Sequence, residues 1–299
     1  MIVVRLAGGM GNQLFQYAFS RVLSLKYNLP VFLDTRVYNK SKTRIGYTFR
    51  TFDLDLFNTT YQSIDDEIIK DIPIFKSKKQ LIQSILYKNL NIPIKFGNYY
   101  IFDESNYNKF DFNPENNYYF EGYWQNIEYF KNYENIIKQE IAFKETPPNN
   151  ILELGDKFSS TDTVAIQIRK TDYVYNIMNK LIFNSLDIDY FTKCIELFKK
   201  RLNNPLFVIF SDDNNWVKTN FNLKDNFYLI DDTIKGDRFQ YSMYLLSKCR
   251  NFIISNSSFG WWGAYLSKYE NKLIIGPKKW FRFSSRSPLN NMPQNWLQM

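Results

Sequence analysis

Histidine is absent from all 299 residues. No imidazole is therefore available as general base, triad member or metal ligand, and any proton transfer falls to Asp, Glu, Lys or Tyr. Cysteine occurs only as Cys194 and Cys249, too sparse for a disulfide framework or a metal-ligand pattern. That usage fits a reducing compartment, and a cytoplasmic location is expected. No apolar run approaches the roughly 18 residues of a membrane span. Arg5, Gly8, Gly9 and Gly11 interrupt the N-terminus, so no signal peptide is expected there.

Charge is plentiful but not clustered. Lys and Arg number 38 against 30 Asp and Glu, a net charge of +8, which attracts phosphorylated small molecules, anionic lipid or nucleic acid. The densest basic cluster is "KSKK" at 76–79. Neither a zinc finger nor an aromatic–basic RNA-binding signature is present, so no nucleic-acid partner is expected. The segment "KSKKQLIQSILYKNL" carries Leu81, Ile82, Ile85, Leu86 and Leu90 on one side. It suits either packing on its own domain or peripheral contact with the cytoplasmic face of an anionic membrane. The oligomeric state is not legible.

A chain of this length accommodates two domains of about 150 residues. The clearest break is "ETPPNN" at 145–150, where two prolines end a helical pattern. Domains at 1–146 and 147–299 are expected. In the first, residues 60–115 are rich in Asn, Tyr and Lys and show little regular pattern.

The chain opens with "IVVRLAGGMGNQLFQYA". The β-branched run reads as a strand, the glycines as a tight turn, and Leu14, Ala18, Val22 and Leu25 as one face of a helix. Asn12 stands where an N-cap is expected. Such a strand–turn–helix presents backbone N–H groups and a helix dipole to an anion. It is neither a Walker loop nor G-x-G-x-x-G, because Leu14 occupies the third glycine position.

The second half repeats one arrangement. "TVAIQI" (163–168), "LFVIF" (206–210), "NFIIS" (251–255) and "KLII" (272–275) are near-continuous apolar strands separated by segments of helical spacing. That alternation indicates a parallel α/β sheet, in which ligands bind beyond the carboxyl ends of the strands. Each strand delivers polar groups at that end: Gln167, Arg169, Lys170 and Asp172, then Ser211, Asp212 and Asp213, then Asn256, Ser257 and Ser258, then Lys278 and Lys279. Cations and a helix-starting serine pair suit a diphosphate. Asp212 or Asp213 suits a base or ribose. The structural alternatives are an Arg169–Asp172 ion pair and a helix cap at Asp212.

Six blocks, "GGMGNQLFQYA", "GYWQN…YF" (122–130), "IQIRKTDYV" (166–174), "FSDDNNW" (210–216), "LLSKCRNFIISNSSFGWWGAYL" (245–266) and "IIGPKKWF" (274–281), resemble in order those of glycosyltransferase family 11. Its bacterial members are α-1,2-fucosyltransferases. The resemblance implies a GT-B-like α/β fold, two Rossmann-like domains facing across a cleft, with an acceptor-side N-terminal domain and a GDP-sugar-binding C-terminal domain. It implies inverting transfer of L-fucose from GDP-β-L-fucose to the 2-hydroxyl of a terminal galactoside in a glycan or surface polysaccharide, without metal or other cofactor. The isolated "DLD" at 53–55 and "DID" at 187–189 are read as incidental rather than as metal motifs.

Carried over by position, Arg169 contacts the β-phosphate, Ser257 and Ser258 hold phosphate oxygens, and Asp212 or Asp213 faces guanine or ribose. Gly9, Gly11, Asn12 and Gln13 approach the sugar and diphosphate. Asp172 is the candidate base, with Glu121 behind it. Tyr123 and Trp124 are either core or acceptor-stacking residues. Gln167 and Lys170 replace the histidine and arginine of the family's His-x-Arg-Arg-x-Asp-Tyr pattern, and Gly260 stands where serine is usual. A different nucleotide-sugar donor, a non-galactose acceptor and a non-catalytic binding relic are the competing readings.

Overall fold

The computed structural model describes residues 1–39, 49–74, 77, 80–82, 85, 94–171, 177–223, 226–282 and 292–299. It divides into two compact units, Met1–Lys144 and Glu145–Met299.

The N-terminal unit is built on a six-stranded sheet. Its strands are β1 (Ile2–Arg5), β2 (Val31–Asp34), β3 (Gln62–Ser63), β4 (Ile94–Phe96), β5 (Tyr99–Phe102) and β6 (Asn117–Phe120), in the order β3-β2-β1-β6-β5-β4. All neighbours pair in parallel except β4 with β5. The tyrosine-rich segment that looked unpatterned thus supplies short strands, β3 joined to the sheet through β2 and β4–β5 through β6. Helix α1 (Met10–Tyr27) buries Leu14, Phe15, Ala18, Phe19 and Leu23, and α2 (Glu134–Glu140) follows later in the unit.

One expectation is corrected at α1. The helix begins at Met10 with Gly9 as its N-cap, not at Asn12. Gly8 turns the chain at φ 85°, a left-handed conformation that glycine adopts without strain. The cap therefore lies three residues earlier than expected, and Asn12 lies inside the helix's first turn.

The C-terminal unit holds a second six-stranded sheet. Its strands are β7 (Thr163–Ile168), β8 (Leu206–Ser211), β9 (Phe227–Leu229), β10 (Asn251–Ile254), β11 (Ile274–Gly276) and β12 (Leu297–Gln298), in the order β12-β11-β10-β7-β8-β9, all parallel. The described helices are α3 (Asn149–Ser160), α4 (Ile177–Ile182), α5 (Ile188–Arg201), α6 (Asn214–Asn220), α7 (Gln240–Lys248) and α8 (Ser258–Leu266). Every residue of β7 and of β10 is buried, because helices cover both faces of a parallel sheet. One core layer joins Val164, Ile166 and Ile168 to Phe191, Ile195 and Phe198 of α5.

In each sheet the strand order reverses beside the first strand, between β1 and β6 and between β7 and β10. These are the topological switch points at which the connections part and leave a crevice at the carboxyl ends. Among the described residues no helix is long and apolar enough to cross a membrane. Much of 76–90 lies outside the described residues, although Leu81, Ile82 and Ile85 are exposed.

Candidate active site

Arg169 follows directly on β7, at the switch point of the C-terminal sheet. Ser255 sews the two strand ends together there. Its N–H and hydroxyl donate to Gln167 O at 3.1 and 2.8 Å, and its Oγ accepts from Arg169 N at 3.2 Å. Two residues on, Ser257 is the extended N-cap of α8, and its side chain makes no capping bond. No acidic residue stands in that first turn. A helix N-terminus with no acidic residue in its own first turn presents its positive end and leading amides in the way that suits an anion. Ser258 is partly exposed at the helix's first position.

Asp212 fixes Arg169 from the other side. Its carboxylate lies 3.1 Å from the Arg169 guanidinium and accepts from Lys170 N at 2.8 Å and Thr171 N at 3.2 Å, as well as from the Thr171 hydroxyl. Asp212 was expected to face base or ribose. Both oxygens are engaged in shaping the 169–171 loop, and the guanidinium's ion pair is with Asp212. Asp213 is also turned inward, capping α6 by accepting from Trp216 N at 2.9 Å. Ser211 closes the same turn, accepting from Asp213 N at 3.0 Å and donating to Asp213 O. The geometry makes all three scaffold for the loop that holds Arg169.

Lys170 is turned inward as well. Its ammonium donates to Leu186 O and lies 4.1 Å from the centre of the Trp216 ring, with the residue 6% exposed. Burial holds its pKa below the ordinary lysine value, against the opposing pull of Asp187, Asp212 and Asp213. Asn256 donates to Asn184 O at 3.0 Å and Trp280 O at 2.7 Å, tying the β10 end to the segment after β11. Gln167 is buried, and Lys278 and Lys279 are exposed. Asp172, the candidate base, lies outside the described residues.

The N-terminal switch point is organised by amides. Gln16 accepts from Ala7 N at 2.9 Å and donates to Gly122 O at 2.7 Å, bridging the ends of β1 and β6. Gln125 donates to Asn12 Oδ1 at 2.7 Å. Gln13 is fully buried, donates to Gly8 O and Thr51 O and accepts from Asp53 N, so it braces the opening loop. Gly11 is buried, whereas Gly9 is partly exposed. Trp124 is fully buried and stacks on Phe19 with ring centres 3.9 Å apart, which makes it core; Tyr123 is exposed. Asp53 accepts from the Thr51 hydroxyl and Asp187 caps α5. Among the described residues no cluster of three or more Cys, Asp or Glu is placed to hold a metal.

Sequence reasoning missed Ser255, Thr171, Gln16 and Glu104. A serine ending an apolar strand was a usable signal for Ser255. Gln16 meets Gly122 106 residues on, and Glu104 meets Tyr123 and Trp124 19 and 20 residues on; nothing local marks either.

The model of glycosyl transferase family 11 matches residues 1–298. The chain belongs to glycosyltransferase family 11. An α-1,2-colitosyltransferase of Escherichia coli is 32% identical over 306 aligned positions, covering 100% of this chain and 99% of that protein. The O-antigen biosynthesis glycosyltransferase WbnK of Escherichia coli is 28% identical, covering 98% and 99% respectively. Among solved structures, the NodZ α-1,6-fucosyltransferase of Bradyrhizobium, co-crystallised with GDP, superimposes with a TM-score of 0.54 at 13% identity, covering 88% of this chain and 91% of that one. This family 11 chain is accordingly a glycosyltransferase with a GT-B-like fold of two parallel-sheet units.

Proposed function

We propose that the chain transfers L-fucose from GDP-β-L-fucose, with inversion, to the 2-hydroxyl of a terminal galactoside of a surface polysaccharide. In this reading the C-terminal unit holds the nucleotide and the N-terminal unit the acceptor. The supporting observation is Arg169, clamped by Asp212 beside the uncapped N-terminus of α8. Departure of a sugar from a diphosphate leaves positive charge on the sugar ring and builds negative charge on the leaving oxygen. A fixed guanidinium and helix amides at the β-phosphate stabilise that developing charge, and they need no reorganisation as it forms. Inversion requires the acceptor hydroxyl to attack from the opposite face and lose its proton, for which Asp172 is the assigned base. The O-antigen relative supports a polysaccharide acceptor.

The likeness to a colitosyltransferase over the whole chain favours a second donor. Colitose is L-fucose without its 3-hydroxyl, so GDP-colitose presents the same diphosphate to Arg169. The deciding experiment offers labelled GDP-fucose and GDP-colitose, with UDP-sugars as controls, against a panel of β-galactosides and determines the linkage by NMR. An α-1,2 product from GDP-fucose is expected. Transfer from UDP-sugars alone, or GDP release without any glycoside product, overturns the reading.

A further inference from the structure

Tyr123 is 45% exposed at the end of β6, directly before a tryptophan whose backbone is left-handed. Trp124 has φ 54°, a region that bulky side chains enter only when the surroundings over-determine it. Two sets of contacts do so here. The indole is fixed in the core, stacked on Phe19 and meeting Tyr107 and Tyr129 edge-on, each at 5.4 Å between ring centres. The backbone is gripped by Glu104, whose Oε1 accepts from Tyr123 N at 2.9 Å and from Trp124 N. With the tryptophan held inward and both amides held by one carboxylate, the preceding phenol ring is turned out of the core.

The place matters as much as the strain. β6 lies beside β1 at the switch point of the N-terminal sheet, where an open α/β sheet receives its ligand. Gln16 fastens the Gly122 carbonyl to the Ala7 amide across that point. Asn12 stands at the same rim. Its Nδ2 lies over Gly8, 2.3 Å from where a Cβ would be, and its Oδ1 is held by Gln125. An outward aromatic ring beside amide donors is the composition that binds a pyranose, the ring covering carbon-bound hydrogens and the amides meeting hydroxyls.

We propose that Tyr123 is the platform for the acceptor sugar and that Glu104 is the residue positioning it. This rests on the transfer to a galactoside proposed above. The 4-hydroxyl of galactose is axial, so the hydrogens on C3, C4 and C5 form one continuous apolar face for the ring. The equatorial 4-hydroxyl of a glucoside leaves no such face.

The test is steady-state kinetics on Tyr123→Ala, Tyr123→Phe, Glu104→Ala and Glu104→Gln, varying donor and acceptor separately. Tyr123→Ala raises the acceptor KM about tenfold, leaves the donor KM in place and narrows the preference for galactoside over its 4-epimer, while Tyr123→Phe stays near wild type. Glu104→Ala raises the acceptor KM likewise, and Glu104→Gln, which keeps an acceptor oxygen, restores it. An unchanged acceptor KM in Tyr123→Ala, or a rise confined to the donor KM, overturns the assignment. Saturation-transfer NMR with methyl β-galactoside separates this from failure of the wider reading. Contact in wild type that is lost in Tyr123→Ala supports the platform even where no fucose is transferred; contact equal in both, or seen in neither, refutes it.

Discussion

Gln167 fills the space that Gly260 leaves open. A Cβ on Gly260 would stand 2.6 Å from Gln167 Oε1, and that oxygen is buried without a hydrogen-bond partner. The two positions where the resemblance to the family leads one to expect histidine and serine therefore meet, one at the end of β7 and one in the first turn of α8. They form a single departure. Gly260→Ala is expected to drive the amide from its place and to destabilise by about 1–3 kcal/mol, the usual range for overpacking. Gln167→Ala removes the clash, so the double variant should be more stable than the sum of the single losses. Urea unfolding of the four proteins measures the coupling; strict additivity would show that the residues do not meet.

The Asp212–Arg169 pair leads to a kinetic prediction. Arg169→Ala is expected to lower kcat/KM for the donor by about 10²–10³, the size of losing one preorganised stabiliser of developing charge. Asp212→Ala removes three hydrogen-bond acceptances along the 169–171 loop together with the ion pair. It should fall to within about tenfold of Arg169→Ala, and the double variant should be little worse, since groups acting as one unit are not additive. Multiplying losses in the double variant would mean that Asp212 has its own contact with the donor.

The parallel sheet of the C-terminal unit was legible because β7 and β10 are near-continuous apolar runs, a pattern that burial on both faces explains. The site's location followed from the strand ends. The direction of each polar side chain did not. Asp212 and Asp213 stand where a ligand could meet them, but whether a carboxylate turns outward or accepts its own loop's amides depends on backbone angles beyond the reach of residue spacing. Lys170 shows the same limit, since its charge pointed to phosphate and its four-carbon stem carried that charge to Leu186 O. In the N-terminal unit, Asn12 was the expected cap, and the left-handed turn at Gly8 lets the helix start earlier, with Gly9 as its cap. The Glu104 clamp on Trp124 joins positions 20 residues apart through an unpatterned segment and left no trace in composition.

A buried ion pair makes the N-terminal unit sensitive to acid. Arg36 donates to both oxygens of Asp34, at 2.9 and 2.8 Å, and the Tyr119 hydroxyl donates to Oδ2 at 2.6 Å. Burial alone would push the Asp34 carboxyl upward, but the hydrogen bonds from Arg36 and Tyr119 and the charge of Arg36 outweigh it and hold the pKa below the usual carboxylate value. A depressed folded value means that the stabilisation is complete above the unfolded pKa of about 3.9 and is lost as pH falls through the folded one. Asp34→Asn leaves the buried guanidinium without its counter-charge and should cost about 3–5 kcal/mol at neutral pH. Its loss relative to wild type should shrink on acidification below about pH 4. Urea midpoints from pH 3 to 7 test this; a gap that stays constant across the series would show that Asp34 is not the titrating group.

Lys170 offers the sharpest contrast with its neighbour. Both cations follow β7, yet the Arg169 guanidinium is held by Asp212, while the Lys170 ammonium is buried against Leu186 O and the Trp216 ring. If the phosphates are met by Arg169 and the helix amides, removing the lysine charge should alter folding and not donor recognition. Lys170→Met keeps most of the stem's volume and leaves the Leu186 carbonyl unsatisfied, a loss of about 1–3 kcal/mol. It should also change the Trp216 fluorescence, because the indole loses the cation 4.1 Å from its centre. Its donor KM should remain within about threefold of wild type, below the tenfold that 1.4 kcal/mol of lost binding would produce. A donor KM raised tenfold or more, with stability unchanged, would mean that the ammonium leaves Leu186 for the diphosphate when the nucleotide binds, and Lys170 would then join Arg169 as a phosphate ligand.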